Sequence, residues 1–177
     1  MDLKKLLIVV DMQKDFVDGA LGSAQATAIV DNVVRKIRDF QGDILVTYDT
    51  HGENYMQTQE GKHLPVPHCI KGTPGWELDK KVQAALAARE YYTIEKPTFG
   101  STALLDMIAA QYDPKELEIQ LVGLCTDICV VSNALLLKAN FLETPISVDA
   151  SCCAGVTPES HHAALLTMKM CQVNVIE

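Results

Sequence analysis

The sequence predicts an α/β fold: three layers, α/β/α, with a doubly wound parallel sheet of about six strands. Two observations carry this. Short apolar runs alternate with amphipathic segments along the chain, the pattern of repeated β–α units. The runs are also near-continuously apolar, as expected of strands covered by helices on both faces.

The first strand is read at "LLIVV" (6–10), closed by Asp11. Residues 24–40 carry helical spacing, with Ile29, Val33, Ile37 and Phe40 at offsets of four, four and three. "DILVTY" (43–48) is the second strand, followed by an irregular stretch at 50–76. An unstructured segment of that length inside a compact α/β domain is usually functional. Helical spacing over 77–89 leads to a third strand, "YYTI" (91–94). A helix over 101–111 follows, with Ser101 as a cap. "IQLVGL" (119–124) and "PISV" (145–148) are strands four and five, separated by a helix over 129–142. Thr157, with Pro158 in the first turn, caps a helix over 159–171, and "VNVI" (173–176) is the sixth strand. No repeat, low-complexity tract or linker interrupts the series, so residues 1–177 are read as one domain.

The formal net charge is −8 and no run of Lys and Arg occurs. Nucleic acid and anionic membranes are therefore excluded as partner classes. Two lysines precede the first apolar run, but Asp11 closes that run without a small-residue cleavage site. No segment approaches the length of a membrane span, and a cytoplasmic protein is expected. The six cysteines (69, 125, 129, 152, 153, 171) are then mostly reduced, buried thiols. No C-x-x-C motif supports a thioredoxin-like redox site.

Ligands of an open parallel sheet bind at the carboxyl ends of its strands. The residues found there are Asp11, then Asp49-Thr50-His51, then Glu95-Lys96, then Thr126-Asp127-Ile128-Cys129. Cys129 opens a helical pattern directly after a strand and a polar turn. A helix N-terminus lowers a thiol pKa, which makes Cys129 a candidate nucleophile. Asp11 is then placed to take its proton, with Lys96 holding the charged ensemble together. A small buried residue on the inner face of the helix is an equal reading of the same spacing. At the strand end, the backbone N–H of Cys125 is a candidate oxyanion donor. Asp49 and His51 share one face of a strand and, with His68 folded back, form a candidate metal site. Such N/O donors suit Zn, Fe or Mn, and Glu60, His63 and Glu53 are further candidate ligands. A polar surface loop is the competing reading. His161 and His162 are read as surface residues.

"LLIVVDMQKDFVDGAL", "TYDTH", "PHCIKGTPGWEL", "EKPTFGST" and "GLCTDICVVSNA" occur in that order. Together they resemble the isochorismatase-like cysteine hydrolases over nearly the whole chain. The resemblance implies a Rossmann-like hydrolase fold and a catalytic triad of Asp11, Lys96 and Cys129. It also implies a cis bond between Leu124 and Cys125 and an oxyanion hole formed by the amides of Cys125 and Cys129. The D-x-H and "HC…GTPG" patterns are most similar to the nicotinamidase/pyrazinamidase branch. That likeness implies one divalent metal ion, zinc first and iron or manganese as alternatives, held by Asp49, His51 and His68. Glu60 is taken as the fourth ligand because it lies nine residues beyond His51, as an acidic ligand does in some members. Phe16 is expected to line the substrate ring, with Leu124 also in the binding site. Pro65 stands near the place where some members carry a stacking tryptophan, and Trp76 is too far along to be its equivalent.

The implied reaction is hydrolysis of nicotinamide to nicotinate and ammonia through a thioester, a step of NAD salvage. The implied partner is a small aromatic amide, and a homo-oligomer is left open. One alternative is a relative acting on an N-carbamoyl compound or another amide. Another is a non-catalytic metal-binding or redox-sensing protein with a Cys125–Cys129 disulfide. A dinucleotide binder is disfavoured, since no G-x-G-x-x-G follows the first strand.

Overall fold

The computed structural model describes residues 3–177. Its six strands are β1 (Lys4–Val10), β2 (Asp43–Asp49), β3 (Tyr92–Lys96), β4 (Leu117–Leu124), β5 (Ile146–Ala154) and β6 (Asn174–Ile176). They form one parallel sheet in the order β3-β2-β1-β4-β5-β6. The order reverses between β1 and β4, and the crevice at such a switch point is where α/β sheets bind ligands.

The helices are α1 (Lys14–Val17), α2 (Ala24–Asp39), α3 (Gln59–His63), α4 (Lys80–Leu86), α5 (Thr102–Gln111), α6 (Val131–Asn140) and α7 (Pro158–Met170). Strand alternation divides the core between the two faces of the sheet. Leu7 and Val9 of β1 pack with Val33 and Ile37 of α2 and Val82 and Leu86 of α4. Leu6, Ile8 and Val10 pack with Leu104 and Ile108 of α5, Leu137 of α6 and Met168 of α7. Ser101 and Thr157 cap α5 and α7 through their hydroxyls. Gly123 brings β4 against β1: its φ is +120°, and a Cβ there would lie 2.1 Å from the Val10 carbonyl oxygen. Only glycine fits both constraints. No helix among the described residues is long and apolar enough to cross a membrane.

Several boundaries differ from those read in the sequence. β5 runs on to Ala154 through "DASCCA", which is too polar to register as an apolar run. Pairing of Cys153 with Gly123 and of Asp149 with Ile176 carries it there. β3 takes in Glu95 and Lys96 because it pairs with β2 as far as Asp49. The helix expected over 77–89 is only α4, which begins where the Asp79 carboxylate accepts the Lys81 and Val82 amides. The stretch 50–76 holds a 3₁₀ turn (Tyr55–Gln57) and α3, and its Thr58 caps α3.

Candidate active site

Three of the predicted rim residues meet at the centre of the sheet. Asp11 leaves β1 with φ +48°, an uncommon conformation for a residue other than glycine. Its amide donates to the Thr47 carbonyl at 3.2 Å, and the Thr47 hydroxyl donates to Asp11 Oδ1 at 2.6 Å. Asp11 Oδ2 faces Lys96 Nζ at 2.5 Å, and both side chains are fully buried. Lys96 Nζ also donates to the Thr98 carbonyl at 3.0 Å and to Cys129 Sγ at 3.3 Å. Burial opposes the charge on Lys96. Asp11, Cys129 and Asp49 around it outweigh that and raise its pKa above the ordinary range. Lys96 is a fixed cation.

The expectation of a thiol with a lowered pKa is not met. Cys129 sits inside a π-turn (Thr126–Val130) that precedes α6, not in the first turn of a helix. Burial, then the Asp11 carboxylate, push its pKa well above that of a free thiol. Burial also raises Asp11, with Lys96 opposing and Asp49 adding to the rise. A thiol beside an ion pair is therefore the resting arrangement, and Asp11 is the acceptor its proton can reach.

The π-turn explains how its amides are arranged. The Cys125 carbonyl accepts from Ile128 at 3.1 Å and from Val130 at 3.0 Å, skipping the Cys129 amide between them. π-type turns of this kind are frequent at functional sites. The Leu124–Cys125 peptide is cis. All six cysteines are free, and burial pushes the Cys125 thiol up to about 12.

Beside the ion pair, Asp49, His51, Glu60 and His68 form the metal-capable cluster, with one donor atom from each within 4.8 Å of the others. His51 Nε2 lies 2.9 Å from Asp49 Oδ2 and 3.6 Å from Glu60 Oε1. His68 Nε2 lies 3.5 Å from Asp49 Oδ2 and 3.6 Å from Glu60 Oε1. Donors about 2.1 Å from a tetrahedral ion stand about 3.4 Å apart, so the four fit a divalent cation. His68 Nδ1 is 2.8 Å from the Val66 carbonyl; donation there leaves the Nε2 lone pair free to face the cluster. Burial opposes ionisation of Asp49. Hydrogen bonds from His51 and His68, and the charge of Lys96, still hold its carboxyl well below the usual carboxylate range. Glu53 and His63 are exposed and lie outside the cluster.

A pocket between the two groups is walled by Phe16, Leu21, Leu64, Phe99 and Ile128, with Cys125, Cys129, Asp49, Glu60 and His68. Leu124 does not line it. Strand alternation turns that side chain into the core beside Val122. Trp76 is also elsewhere, packed against Tyr48 with its indole N–H on the Thr50 hydroxyl.

Sequence reading missed the buried residues that hold these groups. Gln13 Nε2 donates to the Asp49 carbonyl and its Oε1 accepts the Asp49 amide, each at 2.8 Å. Asn133 donates to the Cys129 carbonyl at 2.8 Å and accepts the Ser101 amide at 2.9 Å. Tyr55 is 1% exposed and sets its ring against both His51 and His68. His161, read as a surface residue, is half-buried with Nδ1 2.7 Å from the Thr126 hydroxyl. A polar side chain in an apolar stretch, as at Asn133 in "CVVSNALLL", was the available signal.

The isochorismatase domain model matches residues 5–177. The chain belongs to the isochorismatase family. It is 30% identical to a nicotinamidase/pyrazinamidase of Mycobacterium tuberculosis over 97% of this chain and 98% of that protein. It is also similar to the crystal structure of a nicotinamidase/pyrazinamidase from Bacillus subtilis. The TM-score is 0.84 at 28% identity, over 99% of this chain and 100% of that one. A pyrazinamidase of Pyrococcus horikoshii in complex with zinc matches with a TM-score of 0.79 at 26% identity, over 98% and 99% of the two chains. Family and relatives together make this isochorismatase-family member an amidohydrolase.

Proposed function

We propose that this chain, one isochorismatase-like domain throughout, hydrolyses nicotinamide to nicotinate and ammonia. The observation that carries the reading is an apolar pocket with the buried Cys129 thiol, backed by the Asp11–Lys96 ion pair, on one side and an Asp/His/Glu/His cluster on the other. Asp11 takes the proton of Cys129 as the sulfur attacks the carboxamide carbon. The amides of Cys125 and Cys129 receive the oxyanion. Collapse expels ammonia, which leaves with the proton held by Asp11. Asp11 then activates a water molecule to cleave the thioester, releasing the acid and restoring the thiol. Lys96 keeps its charge throughout, orienting Asp11 and balancing the developing negative charge.

Asp49, His51, Glu60 and His68 would hold a divalent ion, most simply zinc. Bound there with a coordination position beyond these four ligands, the ion would supply a Lewis-acid contact that orients the ring nitrogen. Phe16, in the pocket wall, would pack against the ring.

The pocket also favours an uncharged aromatic amide over an N-carbamoyl acid. No Lys or Arg lines it, and the nearby Lys96 is engaged by Asp11, so no free cation is there to pair with a substrate carboxylate. Such a reaction belongs to pyridine nucleotide salvage in the cytoplasm. The test is ammonia release from nicotinamide beside an N-carbamoyl amino acid, with metal chelated and then restored. Turnover confined to nicotinamide and dependent on added metal supports the proposal. Preference for the carbamoyl compound, or full activity after complete chelation, refutes it.

A further inference from the structure

We infer that His161 is a positioning residue for the nucleophile turn, fixing through Thr126 the relative setting of the two amides that flank it. The inference rests on the proposed thioester chemistry, in which the amides of Cys125 and Cys129 receive the oxyanion. Thr126 lies between them and is fully buried. Among the described residues its hydroxyl makes one hydrogen bond, to His161 Nδ1 at 2.7 Å.

Two independent features hold the start of α7 against this turn. The Asp127 carboxylate accepts the Val156 amide at 3.1 and 3.2 Å. Gly155 is buried, and a Cβ there would stand 2.9 Å from the His161 Cα and Cβ atoms. Glycine is what allows the imidazole to come this close. His161 itself is carried by a rigid first turn, closed by the reciprocal hydrogen bonds of Thr157 and Ser160.

Partial burial, then the neighbouring charge of His162, lower the His161 pKa, while Asp127 opposes the fall. The neutral ring, protonated on Nε2, accepts the threonine proton at Nδ1. Removing that acceptor strands a buried hydroxyl between the two donors and frees the turn to rotate. Oxyanion donors act only when aimed in advance at the developing charge, so the loss falls on the chemical step.

The test uses the full chain and the variants His161→Ala and His161→Asn, since an asparagine amide can stand in for Nδ1. His161→Ala is expected to lower kcat on nicotinamide about tenfold, less than the ~10²–10³ that deletion of a whole donor costs, with KM little changed. His161→Asn recovers most of the loss. Pyridine-3-carbaldehyde, whose adduct with Cys129 carries an oxyanion, weakens in step with kcat, while nicotinate binds His161→Ala as tightly as wild type. Unchanged kcat in His161→Ala, equal weakening of aldehyde and nicotinate, or no recovery in His161→Asn overturns the inference. Amide hydrogen exchange over residues 125–130 gives a readout without substrate. Faster exchange in His161→Ala supports the inference, and unchanged exchange refutes it. A wild-type chain silent on nicotinamide refutes the proposed reaction alone, and the exchange measurement still decides the role of His161.

Discussion

The triad and the metal-capable cluster meet where Asp49 of the cluster lies 3.6 Å from Lys96, but they are built in different ways. Asp11 and Lys96 are fully buried and Cys129 is 4% exposed. Asp11 follows the central β1, Lys96 ends the edge strand β3, and Cys129 lies in the turn directly after β4. His51 and His68 lie at either end of a long connection, and Glu60, carried by α3, keeps 18% of its side chain exposed. The triad's geometry is therefore inherited from the sheet, whereas the cluster's depends on a loop that must close. Replacing Cys129 should alter chemistry and leave the fold unmoved, whereas removing Asp11 or Lys96 would also strand a buried charge. Changes to the cluster should alter affinity for an ion first.

The sharpest test of the triad half is Cys129→Ala. It should abolish ammonia release, by ~10⁴-fold or more, with the circular dichroism spectrum and melting temperature close to wild type. Residual turnover within tenfold of wild type would sink the covalent route. Next in size is chelation, expected to cost ~10²-fold or more in turnover and to be reversed by zinc, iron or manganese. Irreversible unfolding on chelation would instead make the ion structural. Glu60→Gln should weaken metal affinity about tenfold and leave kcat nearly intact at saturating metal. Titration calorimetry with zinc would read this, and unchanged affinity would remove Glu60 from the ligand set. The smallest effect is a displacement in pH. Asp11 must be ionised to take the thiol proton, and burial raises its pKa. Activity should fall as pH drops through that raised value, so the acid limb of kcat/KM belongs above the ordinary carboxylate range. A limb at the pH of a free carboxylate would mean that Asp11 is not the acceptor.

Much of this arrangement is visible in the sequence because the sheet is parallel. Once the apolar runs are read as strands, Asp11, Asp49, Lys96 and Cys129 fall on one rim without knowledge of strand order. The D-x-H pattern also survives, since Asp49 and His51 continue one extended segment. What stays hidden depends on contacts between distant residues. Gln13 gives no sign that it will clamp the backbone of Asp49, 36 residues away. His161 follows a helix cap, and only the close approach permitted by Gly155 turns it inward. The raised thiol pKa was equally illegible. Helix position alone argues for a lowered value, whereas burial and the Asp11 carboxylate decide the outcome.

The burial of Cys129 also bears on how this protein meets a reactive compound. Cys171 is the exposed thiol, and Cys129 is enclosed. A general alkylating agent in the medium will find Cys171 first, so thiol counting will report a residue far from the chemistry. Selective modification of the nucleophile must come from molecular shape: a flat ring that fits the pocket lined by Phe16 and Phe99 and delivers an electrophilic carbon to the sulfur from within.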